Sequence, residues 1–304
     1  VNNILFDELN DLATEQRNAN SMKLDELSIG QVLQLINDED AKVSLAVREE
    51  IPHIEKVCEK LVELLKNGGR LFYVGAGTSG RLGVIDAAEC PPTFGTPVAM
   101  IQAIIAGGNE AVFRSQEGAE DKEDRGALEV ALQRVGPKDM VIGIAASKRT
   151  PFVLGALKKA FELKSTPVLL TTNPREAVDH SYLFVSICPV VGPEVLTGST
   201  RMKSAVAQKM VLTMITTTTM VRLGKVYENM MVDLQLTNQK LTERAKKVIM
   251  LSTGCGYEEA AEVLKSAANH VKTAIVMKKL GISSLEAKKK LEEAGGFVKK
   301  ALLL

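Results

Sequence analysis

Five short apolar runs, at 71–74, 98–105, 140–145, 168–172 and 183–187, alternate with helix-period segments along the middle of the chain. That alternation narrows the fold more than any other feature. Strands linked by helical crossovers run parallel, and a parallel sheet has both faces covered. The expected architecture is therefore α/β, a parallel-sheet sandwich with helices on both faces. Sites in such sheets lie beyond the carboxyl ends of the strands, so the loops starting at Gly75, Gly107, Ser147, Thr171 and Pro189 are expected to share one mouth.

Two of these loops are rich in hydroxyls. In Gly75-Ala-Gly-Thr-Ser-Gly80 the glycines permit positive φ and close approach of the backbone, and the amides opening the next helix suit an anion. Thr78 and Ser79 add hydroxyl donors without a fixed charge. The same letters satisfy the dinucleotide pattern GxGxxG, but the second run ends in Ala106-Gly107-Gly108, with no acid for a ribose, which places a dinucleotide-dependent dehydrogenase last. In the third loop Pro151 suits a first helical turn, which puts Ser147 and Thr150 at a second helix N-terminus. Two such loops on one sheet suggest a phosphorylated polyol held between them. The plainer alternatives are a simple strand-to-helix turn for the first and N-capping for the second.

On either side the chain reads as helical. A short helix is expected near 28–36, then a longer one from Asp40 with Val43, Val47, Ile51, Ile54, Cys58, Leu61 and Leu65 on one face, kinked or split at Pro52 and ended by Asn67-Gly68-Gly69. After the fifth run, Ser199 or Thr200 is expected to cap a long Met- and Thr-rich helix reaching about Leu223. Apolar residues from Ala205 to Val221 occupy more than one face of it, either as core or as a surface between subunits. Breaks at Gly254, Gly256, Gly281 and Gly295-Gly296 divide the remainder into short helices, with Lys288 to Lys290 read as a solvated face. The division expected is a helical arm (1–44), the sheet domain (45–237) and a small bundle (238–304). Two carboxylates can meet the mouth. Glu89 ends the helix after the first loop, where Pro91 and Pro92 are expected to stop it, and Glu120 falls in the helix after the second run, among Glu117, Asp121, Glu123 and Asp124.

Formal net charge is +1 and Trp is absent, so nothing favours nucleic acid or an anionic membrane. Cys58, Cys90, Cys188 and Cys255 are too far apart for a CxxC metal or redox pair, and no metal or cofactor is called for. The first residues carry neither a basic start nor a signal-length apolar core, and no segment reaches a membrane span, so a cytoplasmic protein is expected.

The segments GAGTSGRLGVIDAAECPPTFG (75–95), EGAED (117–121), AASKRTP (145–151) and GPEVLTGSTRMKSA (192–205) resemble the N-acetylmuramic acid 6-phosphate etherases, bacterial enzymes built on a sugar isomerase (SIS) domain. The likeness extends from TEQRN at 14 through MVDLQLTNQKLTERA (231–245) to the last helices. It implies a carbon-oxygen lyase of peptidoglycan recycling that removes D-lactate from N-acetylmuramic acid 6-phosphate by elimination and hydration. It also implies a homodimer with sites at or near the interface, and a carboxyl-terminal bundle like ubiquitin-associated folds. By the same resemblance Glu89 is the proton donor and Glu120 the second active-site carboxylate. Thr78, Ser79, Ser147 and Thr150 hold the sugar phosphate, and Ser199 lies at the rim. One position departs: Lys148 stands where the family usually has glycine, which bears on the shape of the phosphate loop. Related chemistries are an aldose-ketose isomerase, or a non-catalytic phosphosugar sensor like the glucokinase regulatory protein, which has two SIS domains per chain.

Overall fold

The computed structural model describes residues 12–236 and 238–304. The amino-terminal stretch read for a leader lies outside the described residues, as does residue 237 at the expected domain boundary. Helix α1 (Ile29–Asp40) opens with a capping box between Ser28 and Gln31 and runs past the expected end at 36. The long apolar stripe is split: α2 is Val43–Glu49 and α3 is Ile51–Lys66, with Pro52 in the first turn of α3, where its missing N–H has no helical partner to lose.

The strands are β1 (Leu71–Gly75), β2 (Ile101–Ile105), β3 (Met140–Ile144), β4 (Thr166–Leu170) and β5 (Val185–Ile187). β2 starts later than its apolar run because residues 98–100 form a turn. All pairings are parallel, in the order β2-β1-β3-β4-β5. The chain builds outward from β1 in one direction and then from β3 in the other, so the switch point of the sheet lies between β1 and β3.

Alternation along the strands sends side chains to both faces. Phe72, Val74, Val141 and Leu169 pack with Phe152, Val153, Ala156 and Leu157 of α7 (Pro151–Glu162) and Val130 of α6 (Glu123–Leu132). On the other face the Tyr73 hydroxyl donates to Asp86 of α4 (Gly77–Phe94) at 2.9 Å. A short α5 (Glu110–Phe113) follows β2.

Two compact units are formed, one of 12–87 with 99–215 and the other of 88–98 with 216–304. Sequence reasoning ended α4 at Glu89; the helix instead continues through Pro91 and Pro92 to Phe94. Each proline removes one N–H from the helical ladder without forcing the chain to turn, and Gly95, at φ +63°, closes the helix by donating to the Pro91 carbonyl. Glu89 is thus a helical residue, not part of a rigid exit turn.

Helix α8 (Lys203–Arg222) is buried over most of its circumference, Ala205, Ala207, Val211, Leu212, Ile215 and Met220 among others, while Val206 and Val221 stay exposed. In the second unit a two-stranded ribbon, β6 (Val226–Tyr227) and β7 (Met230–Met231), precedes α9 (Gln239–Thr253), α10 (Tyr257–Ser266), α11 (Val271–Leu280), α12 (Ser284–Glu293) and α13 (Val298–Ala301). Gly254 and Gly281 close α9 and α11 in the left-handed conformation, at two of the breaks expected from sequence. Val232, Ala245, Ile249, Ala274, Ile275 and Ala301 are central to this unit's core.

Candidate active site

Register brings the loops level. Gly75, the last residue of β1, pairs with Ile105 of β2 on one side and Ile144 of β3 on the other, so three loops leave the sheet at one height. Those after β1 and β3 flank the switch point, where open α/β sheets place their ligands.

The first loop is tighter than its glycine content alone required, because α4 starts at Gly77, within it. A Cβ on Gly75 would lie 2.6 Å from the Gly80 nitrogen, and one on Gly80 would lie 2.6 Å from Ile105 Cγ1. Gly77 itself has φ +51°. Thr78 and Ser79 therefore stand in the first turn of a helix, both partly exposed, with first-turn amides that have no acceptor in the helix. The Ser79 hydroxyl donates to Gln208 Oε1 at 3.0 Å.

In the second loop Thr150 is the N-cap of α7, yet its hydroxyl makes no capping bond, so N-capping does not account for that side chain. Ser147 Oγ accepts weakly from the Arg149 amide at 3.4 Å. Lys148 is left-handed, at φ +60°, the conformation in which a Cβ is strained and glycine is not. Its ammonium is spent on the Ala177 carbonyl at 2.6 Å. Next to it Lys148, Arg149, Lys158, Asn173, Asp179 and Tyr182 line a cavity of about 520 Å³.

A frame invisible to sequence reading holds this loop. The Ala146 carbonyl accepts from Thr171 Oγ1 at 2.9 Å, Thr172 Oγ1 at 3.3 Å and Asn173 Nδ2 at 2.8 Å, and from the Thr172 amide at 3.2 Å. Thr172 Oγ1 also bonds Ser204 Oγ in α8 at 3.1 Å. The expected cap of α8 is wrong. Ser199 lies in a turn four residues before the helix, and the α8 amides of Lys203 and Ser204 instead donate, at 2.9 Å each, to the fully buried carboxylate of Glu194. A carboxylate satisfies two orphan donors and the helix dipole together, which one serine hydroxyl does not. Lys203 Nζ then reaches Glu39 Oε2 at 2.6 Å, an ion pair with both partners about 2% exposed. Burial pushes the Glu39 carboxyl up, but bonds from Lys203, Lys42, Asn20 and Asn18 outweigh it and hold the pKa at about 2.

Glu120 is not in a helix. It occupies the turn between α5 and α6, which follows Gly118 at φ +68°. Its carbonyl accepts from the Phe152 amide in the first turn of α7 at 2.9 Å, and it lines, with Gly77, Arg81 and Gln116, a cavity of about 80 Å³. Glycines fix this arrangement, since a Cβ on Gly126 of α6 would lie 1.8 Å from the Phe152 carbonyl oxygen and one on Gly155 of α7 would lie 2.1 Å from that of Glu123. The fold thus brings Glu120 beside both hydroxyl loops. Glu89 is an exposed residue of α4 in the stretch 88–98 that belongs to the second unit.

A family model described as the glucokinase regulatory protein N-terminal SIS domain matches residues 53–161, which hold β1 to β3, both hydroxyl loops, Glu89 and Glu120. An N-acetylmuramic acid 6-phosphate etherase of Salinibacter ruber is 57% identical over 98% of this chain and 96% of its own. The chain belongs to the N-acetylmuramic acid 6-phosphate etherase family. The etherase of Clostridium beijerinckii is 48% identical over 97% of this chain and 96% of its own. A solved protein of Escherichia coli overlies 64% of this chain and 94% of its own at 18% identity, with a TM-score of 0.44. For an etherase-family chain, the left-handed φ of Lys148 gives a physical reason why glycine suits that position.

Proposed function

We propose that this chain cleaves the lactyl ether of N-acetylmuramic acid 6-phosphate, giving N-acetylglucosamine 6-phosphate and D-lactate. The observation that carries the reading, beyond family membership, is the seat of Glu120. It is bonded through its backbone to the start of α7 and shares a cavity with Gly77, between two hydroxyl-bearing helix starts at the switch point.

Thr78, Ser79, Ser147 and Thr150, with first-turn amides of α4 and α7, would hold the 6-phosphate. An alkyl ether is a poor leaving group, so the sugar must first be activated. Opening the ring creates an aldehyde at C1, which acidifies the C2 proton and makes the C3 lactyl ether β to a carbonyl. A base removes the C2 proton, an acid protonates the departing ether oxygen, and water then adds at C3 while C2 regains a proton. Proton-exchanging carboxylates perform each of these steps. Glu89 is assigned to the departing oxygen and Glu120 is its partner.

The working unit is read as a homodimer. Val206 and Val221 of α8, and Phe113 and Val98, remain exposed and apolar on the single chain, and a two-fold contact would cover such groups and exclude water from the reaction. Light scattering should give about twice 32.9 kDa, and a fully active monomer would end that part. No described helix is long and apolar enough to cross a membrane. Four cysteines outside any disulfide, three of them buried, suit a reducing compartment, and we place the enzyme in the cytoplasm.

The deciding experiment incubates the purified chain with N-acetylmuramic acid 6-phosphate and measures D-lactate. Stoichiometric D-lactate and N-acetylglucosamine 6-phosphate are expected. Ketose formation from glucosamine-type 6-phosphates without lactate release would make the chain an isomerase instead.

A further inference from the structure

The second unit contains a cavity of about 700 Å³ that the proposed reaction leaves unused. An ion cluster forms its floor. Asp233 Oδ2 accepts from Lys272 Nζ at 2.6 Å and lies 2.9 Å from Lys225 Nζ. Two ammonium groups on one carboxylate leave an unbalanced positive charge, and with Lys272 only 5% exposed, water does little to disperse it. On the wall stand a third ammonium, that of Lys288, which has no ion pair with any described residue, and the Glu292 carboxylate, so three ammonium groups face two carboxylates and the lining keeps a net positive charge. Lys288 is exposed, the solvated charge expected from sequence, and it borders this cavity.

Asp233 also presents an unmet acceptor. Its Oδ1 is buried, faces no hydrogen-bond donor among the described residues, and has His270 Nε2 at 3.8 Å, beyond bonding reach. The Asp233 side chain is 10% exposed. His270 is the N-cap of α11, and Lys272 and Thr273 belong to that helix's first turn, so three of the cavity's polar groups surround a helix start whose amides have no intrahelical acceptor. A simple structural staple of Asp233 on Lys272 accounts for neither Lys288 nor Oδ1.

An unmet acceptor beside excess positive charge defines the chemistry of a ligand, a hydroxyl donor next to a carboxylate or phosphate. We propose that this cavity is a second binding site, for a small hydroxylated anion whose hydroxyl donates to Asp233 Oδ1 and whose anionic group meets Lys288 and the start of α11. The volume lies in the range of small-molecule sites, about 300–1,000 Å³. Resting on the reaction proposed above, the choice of probes is narrow, because both products, a hydroxy acid and a sugar phosphate, carry this pairing. A product held here would report on the reaction to the second unit.

The test is hydrogen-exchange mass spectrometry on the full chain, with D-lactate and N-acetylglucosamine 6-phosphate added separately. Protection of peptides covering 225–233 and 267–273 is expected with at least one probe. Protection by lactate alone assigns a carboxylate site, and protection by the sugar phosphate alone a phosphate site. In Lys288→Ala, whose exposed side chain leaves folding intact, the probe concentration giving half-protection should rise at least ~10-fold, a single lost charged contact, while lactate release at saturating substrate stays unchanged. Lys272→Met should abolish protection. No protection by either probe, equal protection in Lys288→Ala, or loss of turnover in that variant would each overturn the proposal. Failure of the wild type to release lactate would instead refute the etherase reading and leave any cavity protection standing.

Discussion

Replacing Glu39 with Gln tests whether the buried ion pair under α8 supports the catalytic loops. Glu39→Gln keeps the volume and removes the charge, leaving the Lys203 ammonium buried without a counter-ion. Losing one member of a buried pair costs about 3–5 kcal/mol. An independent route agrees: the Glu39 pKa falls from 4.5 to about 2, and at about 1.4 kcal/mol per unit this is about 3 kcal/mol. The sign follows from the depressed folded value. The contribution is fully present above 4.5, where the unfolded carboxyl is ionised, and is lost as pH falls through about 2. Urea unfolding at pH 7, followed by circular dichroism, should show a midpoint lower by about 1 M or more. Between pH 4.5 and 2 the wild type should lose about 3 kcal/mol that the variant does not. A loss under about 1 kcal/mol at pH 7, or identical acid limbs, would refute the reasoning. Because Ser204, the next residue, bonds Thr172 and through it Ala146, the variant should also raise KM for the phosphorylated substrate.

Glu89→Gln and Glu120→Gln should each lower lactate release at least ~10²-fold with an unchanged urea midpoint; near wild-type turnover in either would remove that residue from the mechanism. Lys148→Gly relieves a left-handed non-glycine residue and should raise stability by about 1 kcal/mol in calorimetry, whereas Lys148→Ala should not; equal melting temperatures for the two would contradict this. Gly155→Ala places a methyl group against the Glu123 carbonyl and should cost about 1–3 kcal/mol and reduce kcat more than it changes KM, since Glu120 moves with α6. Unchanged kcat with reduced stability would show that the close approach serves packing alone.

Much of the fold was legible because apolar runs and glycine punctuation are local signals. All five strands, the split at Pro52 and the helix ends at Gly254 and Gly281 follow from them. Two of the errors, at Ser199 and Glu120, share one cause, a tertiary partner overriding a local rule, and the third is a local rule applied too strictly. Ser199 looked like a cap, but Glu194, a residue like any other acid in the sequence, folds back onto the α8 amides. Pro91 and Pro92 looked like a stop, and the helix ran on through them. Glu120 looked helical, yet its carbonyl is taken by Phe152 from another helix. The strand order, and with it the switch point that gives two hydroxyl loops a common site, is a property of pairing that no single segment carries. The Thr171-Thr172-Asn173 run was visible as a polar cluster at a strand end, and only the fold shows what it holds.

The loop after β3 hangs from a main-chain atom, the Ala146 carbonyl, and not from a side chain. Substitution at position 146 leaves that oxygen in place, so drift there is cushioned as long as the newcomer fits. The donors are also redundant: exchange of Thr171, Thr172 or Asn173 alone leaves the others to hold the carbonyl. Variation can therefore be sampled one donor at a time while the loop keeps its shape, and a library randomised across the three positions should contain many active singles and few active triples.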